Sequence, residues 1–525
     1  NGEKLKISII KGRQNFPCEF LKENSISNEK NSTLDIFSSD EKTRKKELSA
    51  DCSYLPCKIE IKEKNEKKIR EYLEMNKRVS KFLQLKHVRR MSIAPVCKYW
   101  SPIARKDISL GLDDAKLLTY KGLENKEYVI YRRKEGCQYY SQYLSYINSD
   151  VLIFNSLKYK LETLMDRKPA TEIEIIDECD EFLDSFANSA LINLNRFAFS
   201  MFNLYSDNEK IEKEIKEIWE LLAELMNKNS IELIRLKETK MTEILRKFYE
   251  GKIMDFVECD EENYCYHVEE VAKEFFPLLE DSFISFEKDG KETTAKIVSI
   301  NLEKRFKEFL DKNKAFVLMS GTIHSERVLE EIFGLKVFQI IEAETEMPGK
   351  ITKLRTGLEF NCSYESLKMK IMREKYLLAL NKCIEQAILP ALIHVNAFYD
   401  LPTEEEAKKL KIGIMTREKF KNEEHEENVR KFKRKEIKIL YTTKCSRGID
   451  FPGEICNSII LTKYPYPNIS DIFWKLLKKS RPEHYNDFYK DKARRELLQK
   501  IYRGLRSKDD HIYLLSPDAR VMNGI

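Results

Sequence analysis

The sequence predicts an α/β protein built on parallel sheets, and three features of the chain support this fold class. Short apolar strands alternate with highly charged helical segments, as in parallel sheets that carry helices on their faces. Polar or glycine-containing loops directly follow several of these strands, which is the edge where parallel sheets bind ligands. No glycine occurs between Cys137 and Glu250, which favours long helices in that stretch.

Length and composition limit the class of protein. At about 150 residues per domain, 525 residues predict three to four domains. Charged residues make up 34% of the chain and no apolar run approaches the length of a membrane span, so we expect an intracellular protein with no membrane partner. We expect it in the cytoplasm of a prokaryote or the nucleus of a eukaryote. The net charge of +6 is small, so a nucleic-acid surface would need local segregation of charge.

Six apolar segments read as strands. They are Lys4–Ile10, Thr171–Ile176, Ala315–Met319, Ala391–Val395, Ile437–Tyr441 and His511–Leu515. The third strand leads into Ser320-Gly321-Thr322, and the fifth leads towards Gly448-Ile449-Asp450-Phe451. These loops should meet at the carboxyl edges of their sheets.

The second of these strands runs directly into an acid pair. Asp177 and Glu178 stand at its carboxyl end, followed by Cys179 and Asp180. One carboxylate can hold Mg²⁺ while the other orients an attacking water, as nucleotide hydrolysis requires. Acid pairs are common in a chain with 87 acidic residues, and the preceding strand is what favours a site here.

Three polar side chains near the carboxyl end share a helical spacing. Gln499, Arg503 and Arg506 occur at i, i+4 and i+7, which predicts one helix face. Arginines on that face could act on nucleotide phosphates as arginine fingers do. On spacing alone a solvated amphipathic helix is the better interpretation.

Five of the twelve cysteines fall in the first 137 residues, and none forms a CxxC pair. They are Cys18, Cys52, Cys57, Cys97 and Cys137. Widely separated cysteines are typical of ligands gathered around one cluster, although ordinary buried thiols explain them equally well. The lysine-rich stretch between them, including Lys86 to Arg90, is either a solvated face or a contact for a nucleic-acid strand.

A helix is predicted after residue 206. Ser206 and Glu209 have the spacing of a capping box. The apolar positions that follow repeat at steps of four and three, which indicates core packing and not a cofactor site. These positions are Ile211, Ile215, Ile218, Leu222 and Leu225.

Taken in order, these motifs resemble the XPD/DinG family of superfamily 2 DNA helicases. Residues 11–18 (KGRQNFPC) and 137–140 (CQYY) are similar to the family's first and last cluster-cysteine motifs. Residues 177–180 (DECD) resemble its DEAH box, 320–322 its SGT motif, and 448–453 (GIDFPG) its GxDFPG motif. Residues 499–506 (QKIYRGLR) resemble QxxGRxxR, so the likeness extends over nearly the whole chain.

The resemblance implies two RecA-like parallel-sheet motor domains, the first interrupted by an iron–sulfur domain and a helical arch domain. The implied boundaries are motor domain 1 at 1–17, the iron–sulfur domain at 18–137, motor domain 1 with the acid box at 138–195, the arch at 196–300, the end of motor domain 1 at 301–335, and motor domain 2 at 336–525. The implied activity is ATP-dependent 5′–3′ unwinding by a monomer on single-stranded and forked DNA, in repair or replication. ATP, Mg²⁺ and a 4Fe–4S cluster are the implied cofactors.

The resemblance also assigns roles to residues. Asp177, Glu178, Gln499, Arg503 and Arg506 are implied to be catalytic. Ser320, Gly321, Thr322, Gly448 and Asp450 are implied to bind nucleotide and relay its state. Cys18, Cys57, Cys97 and Cys137 are the implied cluster ligands, with Cys52 as an alternative to Cys57.

The chain departs from the family pattern at several points. It contains no G-x-x-x-x-G-K-[S/T] phosphate loop, so we expect these residues alone not to hydrolyse ATP. Omission of an amino-terminal segment is the favoured explanation over evolutionary loss. Asp180 stands where the family has histidine, Arg447 where it has glutamate, and Tyr502 where it has glycine.

Three alternatives stay open. A helicase relative without its phosphate loop would act as a nucleic-acid-binding scaffold. An RNA-directed remodelling ATPase would share the motor motifs, and a zinc protein would share the cysteines.

Overall fold

The structure is a computed structural model that describes residues 4–29, 49–202, 204, 208–226, 232–251, 253–254, 260–342, 349–443 and 448–524. The chain divides into two compact units. The first contains residues 1–176 and 181–318, and the second contains 177–180 and 319–525. None of the described helices is long and apolar enough to cross a lipid bilayer.

Strands and helices are numbered here in chain order. The strands are β1 (Ile7–Ile10), β2 (Ile103–Arg105), β3 (Lys116–Lys121), β4 (Glu127–Arg132), β5 (Val151–Phe154), β6 (Glu174–Ile176), β7 (Ala190–Asn193), β8 (Ile234–Arg235), β9 (Ser282–Asp289), β10 (Glu292–Ser299), β11 (Phe316–Leu318), β12 (Lys350–Lys353), β13 (Ala391–His394), β14 (Ile439–Thr442), β15 (Ser458–Leu461) and β16 (His511–Leu515). The helices are α1 (Glu19–Glu29), α2 (Glu66–Met75), α3 (Arg90–Ile93), α4 (Gln138–Ser141), α5 (Ser145–Asn148), α6 (Ser156–Leu164), α7 (Cys179–Asp184), α8 (Leu194–Phe202), α9 (Glu209–Met226), α10 (Lys240–Glu250), α11 (Tyr264–Phe275), α12 (Leu302–Asp311), α13 (Glu326–Glu331), α14 (Tyr364–Lys368), α15 (Lys370–Gln386), α16 (Glu404–Leu410), α17 (Arg417–Lys421), α18 (His425–Lys433), α19 (Ile472–Ser480), α20 (Pro482–Ile501) and α21 (Ala519–Asn523).

The first unit contains two short pairs of parallel strands. β1 pairs with β5, and β6 pairs with β11. Alternate side chains of these strands are exposed: Ile7 is 59% exposed, Ile9 51%, Ile153 46% and Ile175 63%. Because strands of a parallel sheet are normally covered on both faces, each pair leaves one apolar face open among the described residues.

The cysteine-bearing region of the first unit has its own core. Strands β2, β4 and β3 form a small antiparallel sheet. Three of the five amino-terminal cysteines are buried in this core among tyrosines and aliphatic side chains, and the other two pack against it. The region therefore folds around a buried interior despite its many lysines.

The region predicted to be a helical arch contains both helices and an antiparallel sheet. Helices α8 to α11 pack with β7 to β10, which form an antiparallel sheet in the order β7-β10-β9-β8. The five positions of the predicted apolar stripe all lie buried in α9. The stripe prediction is confirmed, whereas the β9–β10 hairpin was not expected from the sequence.

The second unit contains a five-stranded parallel sheet. Its order is β12-β16-β15-β13-β14, and each neighbouring pair is parallel. These pairings confirm the parallel α/β fold class and three of the predicted strands.

Two residues named in the sequence motifs, Ser206 and Arg447, lie outside the described residues.

The predicted helix face near the carboxyl end is wrong in one respect. Helix α20 ends at Ile501, and Arg503 lies in the short 3₁₀ turn Tyr502–Gly504 that follows. Arg506 therefore lies beyond the helix, and the i, i+4, i+7 geometry does not hold for it.

Replacing Ile218 by alanine should destabilise the first unit. Ile218 is fully buried in the arch core, so Ile218→Ala should lower the free energy of unfolding by about 2–5 kcal/mol. Urea unfolding followed by circular dichroism measures this change. Lys216→Ala, on the exposed face of the same helix, is the control and should change stability little. Equal losses in both variants would contradict the assigned core.

Candidate functional site

The acid box has two outward residues and two buried ones. Asp177 is exposed and Glu178 partly exposed, whereas Cys179 and Asp180 are buried. The backbone amide of Glu178 donates to Oδ1 of Asp177 at 2.9 Å, and the amide of Cys179 donates to the carbonyl of Met319 at 2.9 Å. The carboxylates of Asp177 and Glu178 can therefore reach a ligand, and the carboxylate of Asp180 cannot.

Glu178 has an unusual backbone conformation. Its φ is 48°, in the left-handed region that residues other than glycine rarely adopt. Such conformations persist only where the surrounding structure holds them, and they concentrate at functional sites.

Asp180 joins the acid box to the predicted SGT motif. Its Oδ1 accepts a hydrogen bond from Ser320 Oγ at 2.9 Å. Its Oδ2 accepts from Thr322 Oγ1 at 3.1 Å and from Arg495 Nη1 at 3.4 Å. Both hydroxyls of the motif are thus directed at Asp180, and Gly321 lies exposed between them.

Gln499 continues this connection. Its Nε2 donates to Thr322 Oγ1 at 2.6 Å and lies 3.5 Å from Oε2 of Glu178. Its Oε1 accepts from Arg503 Nη2 at 3.2 Å. The amide therefore links the acid box, the SGT motif and the first arginine.

The two arginines share one carboxylate. Arg503 Nη1 donates to Asp450 Oδ1 at 2.8 Å, and Arg506 Nη2 donates to the same oxygen. Burial alone would raise the pKa of Asp450, but Arg506 and Arg503 outweigh it and hold that pKa below its usual value. Gly448 precedes this carboxylate with φ of 75°, a conformation that favours glycine.

The four predicted cluster cysteines line one small cavity in the first unit. Cys18, Cys57, Cys97 and Cys137 all contribute to its wall, and Cys52 does not. Burial, together with the neighbouring thiols of Cys57 and Cys137, raises the pKa of Cys18 to about 11. The cavity thus offers four sulfur donors, the set that iron–sulfur clusters use.

These sulfurs do not converge on one point. In the part of the chain that the structure describes, no group of three or more histidine, cysteine, aspartate or glutamate side chains is placed to hold a single metal ion. A zinc ion needs its ligands about 2.3 Å from one centre, whereas a cluster presents a separate iron to each thiolate.

Arg13 lies at the wall of the cysteine cavity. Its Nη1 donates to Cys57 Sγ at 3.7 Å, and its Nη2 donates to the Tyr140 hydroxyl at 3.1 Å. Its guanidinium carbon lies 4.4 Å from the ring centroid of Tyr139. The motif at 137–140 is therefore packed against the motif at 11–18.

Three residues with contacts at these sites had no role predicted from the sequence: Arg495, its partner Asp491, and Arg13 of the motif at 11–18. Arg495 lies one helical turn before Gln499, which is the signal that could have placed it on the same face. That signal is weak, since α20 carries many other charges.

One protein-family model and several solved structures are similar to parts of this chain. The family model of the helicase C-terminal domain matches residues 388–524. A solved structure described as "XPD_Helicase" is 15% identical with a TM-score of 0.41, over 74% of this chain and 74% of that one. "Structure of S. tokodaii Xpd4" is 15% identical with a TM-score of 0.43, over 72% of this chain and 80% of that one. No curated protein matches the chain.

The Asp450 ion pairs should make stability depend on pH. A carboxylate whose pKa is lower in the folded state stabilises the fold above its unfolded pKa of about 3.9. That contribution is lost as the pH falls through the folded value. Asp450→Asn should therefore be less stable than the unaltered protein at pH 7, with a smaller difference near pH 3.

Urea unfolding at both pH values measures this effect. Asp509→Asn, an exposed position nearby, is the matched control and should show little difference at either pH. A loss for Asp450→Asn that is the same at both pH values would contradict the ion-pair assignment.

Proposed function

We propose that this chain, whose residues 388–524 match the family model of the helicase C-terminal domain, is an ATP-dependent 5′–3′ DNA helicase of the XPD/DinG type. The observation that carries the proposal is the hydrogen-bonded chain from Asp180 through Thr322, Gln499 and Arg503 to Asp450. It joins four motifs that are far apart in sequence. Such a chain can transmit the state of a nucleotide from one motif to the next. The helicase acts as a monomer on single-stranded and forked DNA, in repair or replication.

The outward pair of the acid box performs the chemistry at the phosphate. Asp177 holds Mg²⁺, which takes oxygen ligands and neutralises charge on the phosphates. Glu178 accepts a proton from the attacking water and orients it. The exposure of Asp177 and the positive φ of Glu178 support these roles.

The arginines act from the carboxyl-terminal domain. Arg503 and Arg506 stabilise the charge that develops on the transferred phosphoryl group. Asp450 holds both guanidinium groups in place while no phosphate is bound. Ser320, Thr322 and Gly448 maintain the loops through which the change is relayed.

The phosphate loop must come from outside these 525 residues, because the sequence contains none. The open apolar faces of β1, β5 and β6 support this part of the proposal. A further strand and its helix would cover such faces, and the loop between them would supply backbone amides to the phosphates.

The cysteine cavity holds the 4Fe–4S cluster. Cys18, Cys57, Cys97 and Cys137 would be its ligands, since they line the cavity together. When bound, the cluster supplies structural bracing and four metal–thiolate bonds. Arg13 and Tyr140 position Cys57 and close one side of the cavity.

Single-stranded DNA would contact the cations at the wall of a cavity in the first unit. The rings of Trp100, Tyr128 and Tyr143 in this wall are at most 4% exposed and cannot stack with bases, whereas Arg105 is exposed and Lys273 is partly exposed. Such cations attract phosphates without sequence preference. A wider cavity of about 740 Å³ adjoins it, but carboxylates there outnumber cations.

A second candidate is a helicase relative that binds nucleic acid without hydrolysing ATP. The absence of a phosphate loop from this sequence favours it. An RNA-directed ATPase is separated from the first proposal by comparing RNA and DNA substrates.

ATP hydrolysis should require a phosphate loop and Glu178. The 525-residue chain should not turn over MgATP, whereas the complete open reading frame should do so with stimulation by single-stranded DNA. In that longer protein Glu178→Gln should lower turnover by about 10²–10⁴-fold, because the general base is lost. Release of phosphate measures this.

The matched control is Glu181→Gln, three residues further along the chain. It should keep its turnover, and Glu178→Gln should keep its affinity for single-stranded DNA. Undiminished turnover in Glu178→Gln would overturn the assigned role. No turnover in any form would favour the non-catalytic candidate.

Iron binding should depend on the cavity cysteines. Protein purified without oxygen should be brown and contain about four irons per chain. Cys97→Ser should lose most of that iron. Cys383→Ser, a buried cysteine of the second unit, should retain it. Iron determination and visible absorption measure both outcomes.

The same measurement decides between Cys52 and Cys57. Cys57→Ser should lose iron and Cys52→Ser should retain it, since only Cys57 lines the cavity. Full iron in Cys97→Ser, or zinc in place of iron, would contradict the cluster.

A further inference from the structure

We infer that Arg495 is a positioning residue, and that its ion pair with Asp180 sets the coupling between the acid box and Gln499. The inference rests on the proposed function and deepens it. Its starting point is the fourth residue of the acid box, which is a carboxylate in this chain and a histidine in the family that the sequence resembles.

A buried carboxylate at this position requires a cation. Asp180 is fully buried, and two of its donors, Ser320 and Thr322, are neutral hydroxyls. Hydroxyls satisfy lone pairs but do not compensate a full charge removed from water. Arg495 supplies the positive charge at 3.4 Å, and its side chain is only 4% exposed.

Arg495 is itself held from its other side. Its Nε donates to Oδ2 of Asp491 at 2.7 Å, one helical turn earlier in α20. Oδ1 of Asp491 accepts from the backbone amide of Ser325 at 3.0 Å. The guanidinium therefore lies between two carboxylates, and it ties α20 to the acid box and to the chain just after the SGT motif.

This placement fixes the position of Gln499. Gln499 is one turn after Arg495 on the same helix, and its amide contacts Thr322 and Glu178. Without the ion pair between Arg495 and Asp180, α20 would lose its charged contact with the acid box. That contact lies one helical turn before Gln499. The distance between Gln499 and Glu178, which is 3.5 Å, would then no longer be fixed.

A double-mutant cycle in unfolding tests the ion pair. Arg495→Gln removes the guanidinium that pairs with the buried Asp180 and should lower the melting temperature by roughly 5–10 °C. Asp180→Asn should cost less, because Asp491 still pairs with Arg495. The double variant Asp180→Asn/Arg495→Gln should recover most of the loss.

Arg494→Gln is the matched control, since Arg494 is exposed on the same helix, and it should not shift the melting temperature. Losses that simply add in the double variant would overturn the ion pair. This measurement uses the 525-residue chain and does not depend on any enzymatic activity.

A second measurement separates positioning from simple stability. In the complete, ATP-hydrolysing protein, assayed well below the melting temperature of every variant, Arg495→Gln should lower the stimulation by single-stranded DNA at least tenfold. Basal turnover should change less, and the double variant should regain part of the stimulation. Unchanged stimulation in Arg495→Gln would overturn the positioning role, whereas absence of turnover in the unaltered protein would reject the proposed function instead.

Discussion

One buried carboxylate organises the second unit. Asp180 has no exposed surface, and it is bound by a serine, a threonine and an arginine that come from two distant parts of the chain. Because a buried charge is stable only when its partners stay in place, the loop after β11 and helix α20 must keep their positions for this carboxylate to keep its partners. Asp177 and Glu178 precede Asp180 in the same turn, so the backbone fixes their positions as well.

The cysteine region follows a different physical rule. Its interior is rich in tyrosine and sulfur, and Arg13, a partly buried cation there, is held by aromatic rings and a hydroxyl. Packing of this kind tolerates a soft, weakly polar centre. The two sites thus differ in what would disturb them: a change of charge at Asp180, and a change of donor atoms around the cavity.

The sequence allowed much of this to be predicted, because the decisive signals are local. Apolar runs marked the strands, and the stripe from Ile211 to Leu225 marked the buried face of α9. The β9–β10 hairpin had a signal as well, since Asp289 and Gly290 stand at its turn. Helical spacing could place Arg495 on the face of Gln499, but its contact with Asp180 could not be predicted, because the two residues are 315 positions apart and no local pattern encodes that contact. The end of α20 at Ile501 was not predicted, because the i, i+4, i+7 spacing of Gln499, Arg503 and Arg506 continues in the sequence beyond the last helical turn.

The open faces of the first unit's parallel strands have a consequence for handling the protein. Ile7, Ile9 and Ile153 expose half or nearly half of their surfaces on neighbouring strands, which makes a hydrophobic area. Surfaces of this kind join to copies of themselves unless something covers them. The tendency of the purified chain to self-associate, more than its melting temperature, will therefore report on this area.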